Sequence, residues 1–222
     1  MTVMLHVGLA KTGTSWLQQN VFPKMDVDFF HTGHYECITC TKNKKPMVVS
    51  FEGLSGTTYN NDRYVLAYRL HQLFPYAKVL VTVRDKEGYI RSLYSQYVRG
   101  GGTQSLQEWR RFLYQHPYFL NWTLYVHQLM RLWGKEQVLV LHQCDMKKDP
   151  QNYVKRIAEF VGVPMPKDID CSPVNTGLSD QQCRWWRLMN KWFVSRWNPQ
   201  GLLPRWCNPG FMFQKVIQYT KQ

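Results

Sequence analysis

Acidic residues are scarce in this 222-residue chain. Fifteen Asp and Glu stand against 28 Lys and Arg, a net charge of +13. That excess excludes an acidic, self-solvating protein and points to an anionic partner. Cysteine is also sparse: six residues do not make a disulfide scaffold. No apolar run reaches the ~18 residues needed to span a bilayer. The chain has no low-complexity tract and no internal repeat, so a solenoid is excluded. No basic n-region or cleavage site precedes the first strand candidate, and the expectation is a soluble, cytoplasmic protein.

What is present is an ordinary globular composition, 44% hydrophobic and 15% aromatic. The length suits one sizeable α/β domain. The expected organisation is a single domain over 1–222, with its core at about 3–164 and a C-terminal extension at about 165–222. One spacing raises the question of metal: His31, His34, Cys37 and Cys40 recur every third residue. On a helix that step turns each ligand about 60° from the last, so four would not converge on one ion. No second C-x-x-C exists to complete a zinc site. No metal is expected.

Short runs rich in Val and Leu alternate with helical patterns, the signature of a parallel sheet with crossover helices. Strands are predicted at Val3–Val7, Met47–Phe51, Lys78–Val83 and Gln137–Leu141. Helices are predicted from Thr14 to about Val21, Asp62 to Phe74, Lys86 to Val98, Leu106–Tyr114, Phe119–Trp133 and Asn152–Val161. Asp26 to Lys45 shows no clear period. Near the end, Ser179 and Gln182 form a capping-box pattern opening a helix from Asp180 to about Arg196. That helix carries Trp185, Trp186, Trp192 and Phe193 beside Arg184, Arg187 and Lys191. Two arrangements fit it: tryptophans on the core with arginines outward, which is the expected one, or a basic-aromatic patch facing a substrate or membrane.

The chemistry concentrates at Ala10-Lys11-Thr12-Gly13-Thr14-Ser15-Trp16-Leu17. A buried strand, a glycine-bearing turn and a helix start make an anion site, because free amides and the positive helix end converge there. Lys11 adds a charge, and Thr12, Thr14 and Ser15 add hydroxyls. Gly8 and Gly13 have the spacing of a nucleotide triphosphatase loop, but Thr14 stands where that loop has its lysine.

The order K-T-G-T-S-W resembles the 5′-phosphosulfate loop of sulfotransferases that use 3′-phosphoadenosine 5′-phosphosulfate (PAPS). A second segment agrees. Arg84 ends the predicted strand Lys78–Val83, with Ser92, Tyr94 and Gly101 beyond it, and this is similar to the family's 3′-phosphate motif. Asp85-Lys86 departs from the Asn-Pro pair common there. The stretch from Val138 to Pro164 is similar to the family's late strand, acidic turn and closing helix. The resemblance covers roughly residues 3–164, weakly in 23–46. It implies a P-loop-type three-layer α/β fold and sulfuryl transfer from PAPS to a hydroxyl, less readily an amine, by in-line displacement.

The site the resemblance implies has Lys11, Thr12, Gly13, Thr14, Ser15 and Trp16 around the phosphosulfate, and Arg84 and Ser92 on the 3′-phosphate. Lys11 would neutralise the leaving phosphate. Glu52, at the carboxyl end of the second strand, is the candidate base. Carbohydrate and bacterial-type relatives use a glutamate there, and cytosolic small-molecule enzymes use a histidine. Orienting Lys11 or a turn is the other role open to Glu52. Trp16 has two roles open, adenine contact and core packing, and His6 is expected in the core. No Arg-Lys-Gly cofactor clamp is found. The acceptor is expected to be a small-molecule, lipid or carbohydrate hydroxyl, with peripheral contact to an anionic membrane through the C-terminal Trp/Arg region and no nucleic acid. Two other readings remain: a P-loop kinase, with Asp85 the only aspartate in a suitable place for magnesium, and a non-enzymatic basic protein on nucleic acid or anionic membrane.

Overall fold

A computed structural model describes residues 2–31, 45–56, 62–116, 120–172, 177–204 and 207. The chain divides into two compact units, Met1–Asp85 with Pro117–Asn175, and Lys86–His116 with Thr176–Gln222.

The first unit is built on a five-stranded, wholly parallel sheet. Its strands are β1 (Val3–His6), β2 (Asp28–Phe30), β3 (Met47–Ser50), β4 (Lys78–Val83) and β5 (Val138–His142), in the order β2-β3-β1-β4-β5. The four predicted strands are present, Lys78–Val83 with its predicted ends and the other three with one or both ends shifted by one residue. β2 was not predicted: it is a three-residue edge strand, Asp28-Phe29-Phe30, too short to show a pattern.

Alternation along the strands sends side chains to two cores. Leu5, Val49, Val79 and Val81 pack on one face, against Ala67 and Leu70 of α2 (Arg63–Leu73) and Tyr125 and Leu129 of α5 (Trp122–Trp133). Met4, Val48 and Leu80 pack on the other. There they meet Trp16 of α1 (Thr14–Trp16), Leu17, Val21 and Phe22 beyond it, and Tyr153, Val154 and Ile157 of α7 (Pro150–Val161). The three-layer α/β arrangement is the expected P-loop-type fold.

The helix after the glycine loop differs from its expected form. Only Thr14–Trp16 is α-helical; Leu17–Val21 widens into a π-turn and Phe22–Lys24 closes as a 3-10 turn, with Pro23 barring further α-helix. A short helix, α6 (Gln143–Lys148), stands where an acidic turn was expected. The first unit also continues past Pro164. Asp168 and Asp170 lie against the loop helix: Lys24 Nζ donates to Asp168 O at 2.5 Å, and Trp16 Nε1 and Asn20 Nδ2 donate to Asp170 O at 2.8 and 3.3 Å.

The second unit is helical: α3 (Lys86–Arg99), α4 (Leu106–Gln115) and α8 (Asp180–Asn190). Tyr97 of α3 stacks on Trp109 of α4, ring centroids 4.4 Å apart. Asn190 of α8 donates from Nδ2 to Val98 O and Gly102 O at 2.7 and 2.9 Å. The capping box of Ser179 and Gln182 forms as read. The helix stops at Asn190, six residues before Arg196, because another side chain takes over its carbonyls: Asn198 Nδ2 donates to Asn190 O, Lys191 O and Phe193 O at 2.9–3.2 Å. Its tryptophans reverse the expected arrangement: Trp185 and Trp192 are 63% and 57% exposed, while Cys183 and Asn190 hold the inner face.

Candidate functional site

The site grows from the carboxyl ends of β1, β3 and β4, where open α/β sheets bind ligands. β1 runs into the loop Val7–Gly13. The loop backbone turns through two left-handed residues, Gly13 at φ 97° and Lys11 at φ 68°. Glycine reaches that region freely, but lysine does so at a cost, of the kind found where a loop is shaped for a ligand. Gly13 is also held by space: a Cβ there would lie 2.6 Å from Met146 Cε of α6. A Cβ on Gly8 would lie 2.7 Å from His6 Nε2.

The hydroxyls of the loop divide by position. Thr12 is fully buried and donates to Leu9 O at 2.6 Å; Thr14, 2% exposed, reaches the same carbonyl at 3.4 Å. Both staple the loop to itself. Lys11, Gly13 and Ser15 are half-buried at its rim. Trp16 is 6% exposed in the second core, with its ring N–H donated to Asp170 O.

Arg84 leaves the end of β4 and joins this loop, donating from Nη1 to Lys11 O at 3.2 Å. Its Nε is buried without a partner. Burial lowers the guanidinium pKa from its ordinary value, opposed by the charge of Asp85, and the group stays cationic. The structure therefore brings Lys11 and Arg84 together. Ser92 lies half-buried on α3, in the helical unit.

Glu52 follows β3 and opens the 3-10 turn Glu52–Ser55, half-buried. Ser55 ties this turn to the loop: its hydroxyl lies 3.0 Å from both Gly8 O and Glu52 O. Sequence reasoning passed over Ser55, whose only signal was its place three residues after Glu52.

It also passed over a buried polar chain beneath the loop. His6 and Ser50 are register partners at the ends of β1 and β3. His6 Nδ1 lies 2.7 Å from Ser50 Oγ, and Gln18 Nε2 donates to the same oxygen at 3.0 Å. The other ring nitrogen, Nε2, is buried without a partner. His6 is in the core, as expected, but as a polar link between the loop strand and the strand that leads to Glu52. Complete burial pushes its pKa down to about 3 from 6.5.

A folded-state pKa below the unfolded one means the unfolded chain binds the extra proton. This contribution to stability is therefore full above pH 6.5 and is lost as pH falls toward 3. At roughly 1.4 kcal/mol per pH unit below 6.5, about 2 kcal/mol is lost by pH 5. Urea unfolding of the His6→Asn variant at both pH values should show a flatter dependence than the parent. An equal slope in both would remove His6 as the cause.

Of the cluster His31, His34, Cys37 and Cys40, only His31 falls among the described residues, stacked on Phe29 at 6.4 Å. Among the described residues no group of His, Cys, Asp or Glu could hold a metal ion. None of the described helices is long and apolar enough to cross a membrane. In the helical unit, Thr103, Gln104, Glu108, Arg187, Lys191 and Asn198 line a polar cavity of about 410 Å³. Its rim is pinned by Tyr97, whose hydroxyl accepts from the Thr103 and Gln104 amides at 3.1 Å.

A parallel sheet whose central strand runs into a lysine- and glycine-bearing anion loop defines a P-loop-type protein. Residues 2–176 match the family described as the sulfotransferase domain, and the chain belongs to that family. Among solved structures it is similar to a sulfotransferase from Alicyclobacillus acidocaldarius, with 20% identity, 79% of this chain and 87% of that one covered, and a TM-score of 0.56. It is also similar to the mouse sulfotransferase SULT7A1 complexed with PAP, with 15% identity over 86% of this chain and 63% of that one, and a TM-score of 0.50. Both likenesses concern the fold. No curated protein matches the chain.

Proposed function

We propose that this protein transfers a sulfuryl group from PAPS to a hydroxyl, less readily an amine, of a small-molecule, lipid or carbohydrate acceptor. The observation that carries the reading is Arg84: a half-buried guanidinium, bonded to the backbone of the lysine loop, with its Nε buried and unpartnered. A cation so placed suits a phosphate. The loop's left-handed turn at Lys11 and Gly13 supports the reading, as a backbone shaped at a cost.

When bound, PAPS supplies an activated sulfuryl group on a phosphate leaving group. Lys11 lends its ammonium to the charge that develops on that phosphate. The loop Lys11–Trp16 holds the phosphosulfate through backbone amides and Ser15, with Thr12 and Thr14 fixing the loop's shape. An adenine contact by Trp16 would have only the 6% exposed edge of the indole to use. Arg84 would hold the 3′-phosphate, the group to which the sequence motif also assigns Ser92. Glu52 takes the proton of the acceptor hydroxyl, in a turn that Ser55 keeps against the loop.

Titration calorimetry with 3′-phosphoadenosine 5′-phosphate, using ATP and AMP as controls, tests the donor. Tight binding that needs the 3′-phosphate supports the reading. Equal binding of ATP would overturn it in favour of phosphoryl transfer.

A further inference from the structure

The C-terminal half of α8 and the turn after it hold apolar side chains outward, the reverse of an ordinary surface helix. Trp185, Leu188, Met189 and Trp192 fall at i, i+3, i+4 and i+7 and are 63%, 47%, 44% and 57% exposed. The inner face carries Cys183 and Asn190. The patch continues beyond the helix, because Leu203 N donates to Trp192 O at 2.8 Å and Val194 N to Leu203 O at 2.7 Å. Leu202 and Leu203 are themselves 78% and 45% exposed. Monomeric soluble proteins seldom leave so much contiguous apolar surface without a use.

Charge says what covers it. From Gln181 to Gln222 the chain has no Asp or Glu and seven Lys or Arg. Arg184 and Lys191 stand exposed on the helix that carries the stripe, and Arg196 lies over the Trp197 ring at 5.5 Å. A second copy seated symmetrically on this face would set Arg184, Lys191 and Arg196 of each copy against the same cations of the other. Nucleic acid would use the cations and stack on the tryptophans, but it offers nothing to Leu188, Met189, Leu202 and Leu203. An anionic bilayer uses all three: tryptophan at headgroup level, aliphatic side chains below it, and cations against the lipid phosphates and carboxylates.

We propose that α8 and the Leu202–Leu203 segment dock on the headgroup region of an anionic membrane. The helix lies in the interface plane with its Trp185–Trp192 stripe inward. This inference is independent of the donor chemistry and needs neither PAPS nor an acceptor.

Co-sedimentation of the full chain with vesicles of phosphatidylcholine, alone or mixed with phosphatidylserine, tests it. Binding should be at least tenfold stronger to the mixed vesicles and should fall with salt. The double variant Arg184→Gln, Lys191→Gln should lose roughly fivefold per charge removed. The double variant Trp185→Ser, Trp192→Ser should lose at least tenfold with an unchanged melting temperature, since both positions are exposed. Should that variant fail to fold, brominated lipid provides a second reading on the parent chain, whose tryptophan fluorescence must be quenched. Equal partition to both vesicles, no binding, or unquenched tryptophan would overturn the proposal. So would a dimer in sedimentation equilibrium that the tryptophan substitutions dissociate, or RNA binding that displaces the vesicles.

Discussion

Replacing Arg84 with alanine should weaken binding of 3′-phosphoadenosine 5′-phosphate by about thirtyfold or more. The guanidinium is half-buried, and burial works against its charge. A charge held in that condition gains most when an anion arrives to pair with it. Truncating one member of a buried, hydrogen-bonded charge pair costs about 2–5 kcal/mol, which is about thirtyfold to several thousandfold in affinity. Calorimetry on Arg84→Ala measures it, with adenosine 5′-phosphate as internal control. If the 3′-phosphate is the partner, the variant should lose its preference for the bisphosphate and bind both nucleotides alike. Arg84→Lys should recover only part of the loss, because a lysine cannot present two parallel N–H donors. The bond to Lys11 O adds a structural role worth about 1 kcal/mol, which a melting curve reads separately. Unchanged discrimination between the two nucleotides would remove Arg84 from the 3′-phosphate.

The parts of this fold legible in the sequence are those buried on both sides. β1, β3 and β4 show as Val- and Leu-rich runs because the sheet between two helical layers gives their residues almost no solvent face, and β5, at the sheet edge, keeps the same Val-Leu run up to the exposed His142. β2 escapes because three residues, Asp28-Phe29-Phe30, are too few to show an alternation. The anion loop is legible because its chemistry sits in consecutive residues. The clamp under it is not: His6, Gln18 and Ser50 lie 12 to 44 residues apart and meet only when β1 and β3 pair in register. α8 shows a different limit. Periodicity finds the stripe of Trp185, Leu188, Met189 and Trp192, but not which side of the helix faces in. That was decided by Asn190, whose two amide bonds to Val98 O and Gly102 O satisfy a polar residue on the inner face.

The same separation of shape from chemistry governs the loop itself. Thr12 and Thr14 read as ligand donors in the sequence, yet their hydroxyls go to Leu9 O. A loop that must hold a lysine at φ 68° needs internal bonds to offset the strain, and these two threonines supply them. The proposed donor site then draws on fewer groups than the motif suggests: the backbone amides, Lys11, Ser15 and Arg84.

Glu52 and Lys11 should separate by what each substitution spares. Glu52→Gln keeps the size of the side chain and removes its capacity to take a proton. Its turn is bonded to the loop through Ser55 and the backbone, so the substitution leaves the donor cradle intact. Sulfuryl transfer should fall about 10²–10⁴-fold in kcat, the range of a lost general base, with nucleotide affinity within about twofold of the parent. Lys11→Ala should also cost kcat, about 10²–10³-fold, because the charge it meets grows as the sulfur–oxygen bond breaks. Since an ammonium also attracts the ground-state phosphate, some affinity must go with it. The ratio decides its role: a kcat loss well beyond the affinity loss marks transition-state stabilisation, and equal losses mark simple anchoring. A Glu52→Gln variant that binds nucleotide and still turns over at the parental rate would end its assignment as base. It would leave the glutamate as a residue that orients the turn beside the loop.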